Sequence, residues 1–289
     1  MSRSQIACAF DAKTTTVTRV KSTSHGSFTM TMCRAIDGGL DDLGSPRGAS
    51  LSKKLLGVLK EWRDEPVALS FSPAEILTLP AWFPADAAPA DRDNLCKIEA
   101  GYFLDKADSW QWHDLALEPE ALQPDGLDRR MLLFYPLAPA RFIESELRKH
   151  RNVNWSGVHV EAVTRLSAVT KEPLAVLELE EQYAAFSISR NGKIGYFRYW
   201  PVKDASEREY FAVTELTSAP LDGAPVKVTG PAASGKVLER ISRETSRTIE
   251  PLELRPWVSE EKGANKGKSP TATIRAVSSA IMALNGATE

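Results

Sequence analysis

The chain has 289 residues, 43% hydrophobic and 26% charged, with a formal net charge of −2, which fits one large two-lobed unit or two ordinary domains and excludes a disordered or fibrous chain. No long basic run accompanies that near-neutral charge, so an extended phosphate-binding stripe, and with it a nucleic-acid partner, is not expected. A charge at Asp11 precedes any leader-like apolar core, and no window reaches the roughly twenty apolar residues a membrane helix needs, so the expected location is the cytoplasm.

From the start of the chain, Ile6–Phe10, Thr14–Val20 and Ser27–Arg34 are rich in β-branched, aromatic or sulfur side chains. Asp11–Lys13 and Ser24–Gly26 punctuate them, which predicts a three-strand meander. After a loop from Gly38 to Ala49, Ser50 is placed to cap a helix whose Leu51, Leu55, Leu56, Val58, Leu59 and Trp62 fall at helical spacing. A buried-type strand at Val67–Phe71 follows.

The next elements are predicted in the order β-α-β-β-α-β: strand Glu75–Leu79 stopped by Pro80 and Pro84, helix Asp91–Leu104 with Leu95, Ile98, Tyr102 and Phe103 inward, strands Trp110–Leu117 and Arg130–Tyr135, helix Pro139–His150, and strand Trp155–Val160. A helix over Ala162–Thr170 leads away. The meander pattern then recurs as Leu174–Leu179, Tyr183–Ser189 and Ile194–Trp200, the last two joined by an Asn191-Gly192 hairpin turn. Helix Ser206–Leu216, strand Pro225–Thr229, helix Lys236–Thr245, strand region Thr248–Leu254, a solvated loop at Ser259–Ser269 and a closing helix Pro270–Leu284 complete the chain. A three-strand meander feeding a helix thus occurs twice.

That duplication, with its β-α-β-β-α-β insert, resembles the actin-like ATPase superfamily, in particular the type IV pilus assembly protein PilM, the cell-division protein FtsA and the cytoplasmic part of the type II secretion protein GspL. The local likeness lies in Phe10-Asp-Ala-Lys-Thr-Thr-Thr-Val-Thr-Arg-Val20, Ala185-Phe-Ser-Ile-Ser-Arg-Asn-Gly-Lys-Ile-Gly-Tyr-Phe-Arg198 and Val226-Lys-Val-Thr-Gly230. The resemblance implies an α/β two-lobed, ribonuclease-H-like fold with a shortened second lobe. Its expected division is a first lobe over residues 1–172 holding the insert at about 74–160, a second lobe over 173–270, and a closing helix over 271–289 returning to the first lobe.

In that superfamily a D-x-G hairpin with hydroxyl residues cradles phosphates. Here Asp11 matches its Asp, and Thr14 and Thr15 begin the hydroxyl run, but Lys13 stands at the glycine position, where a side chain hinders close backbone approach. The matching second hairpin has Glu178 and Glu180, which would set carboxylates where phosphates belong; two like charges ~4 Å apart repel by about 1 kcal/mol even in bulk water. The third loop, Gly-Gly in the family, is Gly230-Pro231, and about two dozen residues between Trp200 and Pro225 replace a helical subdomain. Gly230–Val237 also approaches the P-loop pattern, yet it lacks the final hydroxyl, and Pro231 removes a backbone donor. A small anion at that helix N-terminus remains compatible with it.

Cys8, Cys33 and Cys96 form no C-x-x-C pair and read as reduced, partly buried thiols, and the four histidines are scattered, so neither a metal site nor a cofactor is expected. The acidic pairs Asp41-Asp42 and Glu260-Glu261 fall in expected loops, and no nucleophile–base arrangement appears, so no catalytic residue is assigned.

The resemblance implies a non-catalytic scaffold that binds the cytoplasmic tail of an inner-membrane pilus or secretion protein, in a groove with Phe71, Trp82 and Phe83 as contacts. Its membrane association would be indirect, a homodimer is left open, and ATP hydrolysis is not expected. The alternative is a divergent ATP-binding enzyme centred on Asp11.

Overall fold

The computed structural model describes residues 3–23, 27–119, 124–221, 223–266 and 269–286; the turn expected at Ser24–Gly26 and part of the loop expected at Ser259–Ser269 lie outside them. In chain order the elements are β1 (Arg3–Phe10), β2 (Thr14–Ser22), β3 (Phe28–Asp37), α1 (Leu40–Leu43), α2 (Gly48–Leu59), β4 (Val67–Phe71), β5 (Leu77–Pro84) and α3 (Pro89–Phe103). Then come β6 (Trp110–Ala116), β7 (Leu127–Pro136), α4 (Leu137–Arg148), β8 (Val153–Val158), α5 (His159–Thr170), β9 (Leu174–Leu179), β10 (Tyr183–Arg190) and β11 (Lys193–Pro201). The chain continues through α6 (Ala205–Ser218), β12 (Val226–Thr229), α7 (Gly235–Thr245), β13 (Ile249–Pro251), β14 (Val258–Glu260), β15 (Asn265–Lys266) and α8 (Pro270–Asn285).

These elements form two compact units, one of Met1–Pro73, Ala138–Thr170 and Leu252–Glu289, the other of Ala74–Leu137 and Lys171–Pro251. The first unit is built on the sheet β14-β3-β2-β1-β4-β8, with β15 also on β3. Strands β1 to β3 form the antiparallel meander, and β4 and β8 add in parallel. Ile6–Phe10 of β1 is buried at every position, as a central strand covered on both faces requires.

Helix α8 packs on β1, β2, β4 and α5 and is buried from Thr271 to Met282. Small residues such as Ala272, Ala276 and Ala280 let it lie close. Ser269 caps it by accepting from the Ala272 amide, and Pro270 occupies its first turn. Buried Arg151 closes the far end of α2: its guanidinium donates to the Leu59 carbonyl at 2.6 Å, to the Glu65 carbonyl at 2.9 Å and to the Trp62 carbonyl. The Leu59 carbonyl is one that the end of α2 leaves open, and the other two lie on the turn that follows it.

The second unit repeats the plan as the sheet β11-β10-β9-β12-β13, an antiparallel meander extended by parallel strands. It also holds the sheet β5-β7-β6, covered by α3 around a core of Ala81, Phe83, Cys96, Ala100, Leu132 and Phe134. The two sheets of this unit meet through a parallel bridge between Leu117 and Ile194 and a 2.8 Å hydrogen bond from the Glu118 amide to the Ile194 carbonyl.

Several expectations change. The run read as a six-element insert divides: β5, α3, β6 and β7 form the separate sheet, whereas α4 leads into β8, which pairs with β4 in the first sheet. The return to the first unit comes at Leu252 rather than 271, because β14 and β15 pair with β3 within the segment expected to be a solvated loop. β5 runs through Pro80 and Pro84 instead of stopping at them; it lies at a sheet edge, where a missing N–H facing outward costs no ladder bond. α2 begins at Gly48, before Ser50, and Asp41 and Asp42 lie in α1, where Asp42 accepts from the Gly39 amide. Cys96 and Ala100 form the inward face of α3, while Ile98, Tyr102 and Phe103 are exposed.

All three cysteines are buried. Burial pushes the Cys8 thiol up to about 12, and burial followed by the nearby Asp114 and Asp93 does the same to Cys96. Since the thiolate is the reactive form, Ellman's reagent at pH 8 should label none of the three in the folded protein and all three in urea.

Candidate functional site

The loop matching the phosphate hairpin joins β1 to β2. The Asp11 amide closes the turn on the Thr14 carbonyl at 2.9 Å. The segment after β3 then straps the turn: the amides of Gly38, Leu40 and Asp41 donate to the carbonyls of Lys13, Asp11 and Ala12 at 3.0, 2.8 and 3.0 Å. The Thr15 hydroxyl donates to the Gly38 carbonyl at 2.7 Å. Thr14 is half-buried and Lys13 is exposed. A side chain at Gly39 would overlap the Asp11 carbonyl, so glycine there is a requirement of the strap.

The Asp11 carboxylate has a partner that sequence reasoning missed. Arg275 of α8, 2% exposed, donates to Asp11 Oδ1 at 2.6 Å across 264 positions of sequence. The available signal was a single arginine within a helix otherwise composed of apolar and small polar residues, which has no solvated face to receive a charge. Asp11, Lys13, Thr14 and Thr15 are therefore brought together, with the carboxylate turned to an internal cation.

In the second unit Glu178 is buried on β9 and accepts a 3.4 Å hydrogen bond from the Tyr183 hydroxyl. Tyr183 in turn stacks on Tyr199 with centroids 4.7 Å apart. Glu180 closes the β9–β10 turn, its amide donating to the Tyr183 carbonyl at 2.9 Å and its carbonyl accepting from Arg208 at 3.0 Å. Gly230 follows β12 with φ +114°, and its backbone lies so close to Leu179 that a Cβ would overlap the Leu179 carbonyl.

The P-loop-like turn after Gly230 uses its donors on itself. The amides of Ala232, Ala233 and Ser234 donate to the carbonyls of Leu179, Gly230 and Ala232 at 3.1, 3.1 and 2.9 Å, and Pro231 has none to give. Glu178, Glu180 and Gly230 are thus adjacent through β9 and β12, each in a structural bond or contact.

Of the expected partner contacts, Phe71 is buried in the first unit, stacked on Phe10 at 5.5 Å, and Phe83 is buried in the core beneath α3. Trp82 is 41% exposed and flanked by exposed Pro80 and Pro84. Trp110 and Trp112 pack against the α3 core, and the Trp112 indole donates to Asp93 at 3.1 Å. Among the described residues no group of three or more His, Cys, Asp or Glu is placed to hold a metal ion, and no helix is long and apolar enough to cross a membrane.

No protein-family model and no curated protein sequence matches the chain. Solved structures do. A chain of the PilM–PilN type IV pilus biogenesis complex superposes with a TM-score of 0.70 at 13% identity, over 99% of both chains. A protein from Bacteroides thetaiotaomicron with an actin-like ATPase fold reaches 0.52 at 7% identity, over 94% of this chain and 95% of that one. The cytoplasmic domain of EpsL, an inner-membrane component of the type II secretion system of Vibrio cholerae, reaches 0.50 at 9% identity, over 98% and 95%. The fold is therefore actin-like along the whole chain.

Three substitutions test these joints by urea unfolding. Arg275→Met, which strands the Asp11 carboxylate at a half-buried site, should cost about 2–4 kcal/mol, and combining it with Asp11→Asn should cost less than the sum of the single changes. Gly230→Ala, with a positive φ and an occupied Cβ position, should cost about 2–3 kcal/mol.

Proposed function

We propose that this chain is a non-catalytic scaffold of a pilus or secretion machine, that it receives the cytoplasmic tail of an inner-membrane protein, and that it has given up nucleotide binding. The observation that carries the second half of this reading is the Asp11–Arg275 pair. In an actin-like site that carboxylate serves a metal; here a divalent cation would have to displace or adjoin a guanidinium 2.6 Å away, and repulsion between two cations in a water-poor site strengthens as the dielectric falls. The consumed amides of residues 232–234 and the buried carboxylate of Glu178 support the same reading, since neither offers a polyphosphate a donor.

The partner class is supported by the neighbours of the fold, a chain from a PilM–PilN complex and the cytoplasmic domain of an inner-membrane secretion component. On this reading the protein works at the inner face of the membrane through its partner. Trp82, an exposed indole held between two prolines, is the contact residue of choice, because a large rigid aromatic loses little entropy on docking.

Magnesium-ATP at millimolar concentration should leave the melting temperature unchanged, whereas a saturable rise of several degrees would favour the ATP-binding alternative centred on Asp11. Affinity capture from the native membrane fraction should retrieve an inner-membrane protein that Trp82→Ser no longer retains at wild-type level. Capture unaffected by that change would remove Trp82 from the groove.

A further inference from the structure

Helix α3 carries two apolar faces. Cys96 and Ala100 enter the core with Phe83, Leu132 and Phe134. Leu95, Ile98 and Tyr102 recur at alternating intervals of three and four, which sets them in one column along the helix. Leu95 still touches the core, but Ile98 is 54% exposed, Tyr102 is 88% exposed and neighbouring Phe103 is also exposed. Propensity alone does not place an isoleucine and a tyrosine, one turn apart, outside. An outward aliphatic–aromatic stripe at helical spacing is the surface that a second helix covers.

Charge defines the chemistry of that helix. Ala74–Leu137, the segment that folds as β5, α3, β6 and β7, holds twelve acidic and five basic side chains, a net −7, although the whole chain carries only −2. Of its cations, Lys97 is paired with Asp93 and Arg130 with Asp114. Exposed Asp91 opens the apolar column, half-buried Glu99 flanks it, and exposed Asp105 lies just past its end. A field of that sign repels an anionic lipid surface and draws in a cationic segment.

We propose that the outer face of α3 docks an amphipathic, Lys/Arg-rich helical segment of another protein. Its aliphatic side chains cover Ile98 and Tyr102, and its cations face Asp91, Glu99 and Asp105. The proposal rests on the scaffold reading in that both require a protein partner, but the surface is a different one. Trp82 alternates along β5 with Ala81 and Phe83, which face α3, so its side chain leaves the sheet on the opposite side.

The probe is a fluorescently labelled synthetic peptide of leucine and lysine at amphipathic helical spacing, titrated with the full chain and followed by anisotropy at low and high salt. Saturable binding that weakens with salt is expected. The double change Ile98→Ser and Tyr102→Ser should weaken it about tenfold or more without lowering the melting temperature, since both side chains are exposed. Asp91→Asn with Asp105→Asn should weaken binding and flatten its salt dependence, and Trp82→Ser should leave it unchanged.

Equal binding by the serine variant, or equal binding of a leucine–glutamate peptide, would overturn the proposal. So would phosphatidylserine vesicles that bind through Ile98 and Tyr102, or self-association that the serine variant abolishes, each of which assigns the face another occupant. If only Trp82→Ser impairs capture of the membrane partner while the α3 changes affect nothing, the scaffold reading stands and this one fails.

Discussion

The carboxylate of Asp11 and the guanidinium of Arg275 tie the end of the first strand to the middle of the last helix. Much of the first unit follows from that joint. A helix buried on all sides has no solvated face on which to carry a cation, so α8 can lie against β1, β2 and β4 only if Arg275 finds a counter-charge there. The hairpin supplies it. Conversely, a tight turn with a carboxylate aimed inward is stable because a fixed positive charge meets it. Each partner makes the other's position tolerable.

The two large sheets show how one plan can be kept while its loops take on different work. β3-β2-β1-β4-β8 and β11-β10-β9-β12-β13 have the same succession of antiparallel and parallel neighbours. In the first, the hairpin turn is strapped by amides from Gly38 to Asp41; in the second, it is held by Arg208 and by the close approach of Gly230 to Leu179. Loops that in an actin-like ATPase would keep their polar groups for a nucleotide here spend them on neighbouring backbone.

Much of this architecture was legible because it is written in local signals. The β-branched run Thr14–Val20, the apolar run Leu174–Leu179 and the Asn191-Gly192 turn, both of whose residues adopt positive φ, point to their structures without outside information. The missed features depend on what the rest of the chain supplies. Periodicity shows that Leu95, Ile98 and Tyr102 share a face, but which face is covered is decided by the sheet that α3 meets. The strand expected at Trp155–Val160 reads as part of an insert until β4 is seen to offer an open edge to β8. Val258–Glu260 is too short and polar to announce a strand, and it becomes one because β3 has a free side. The resemblance singled out Asp11, Glu178 and Gly230; that Arg275 would pair with the first of them was not readable, because ion pairs between residues this distant leave no periodic trace.

The assignment of Leu252–Glu289 to the same unit as the first strands has a consequence for how the chain is made. Ribosomal synthesis usually lets the N-terminal part of a protein finish folding while the rest is still being produced. Here that order is inverted. The sheet begun by residues 3–37 has no helix over its centre and no edge strand on β3 until residues 258–285 have been synthesised, by which time all of Lys171–Pro251 has left the peptidyl-transferase centre. The half that starts first must be completed last, and its apolar strands, Ile6–Phe10 foremost, wait uncovered in the meantime. A chain lacking α8 would leave them so permanently.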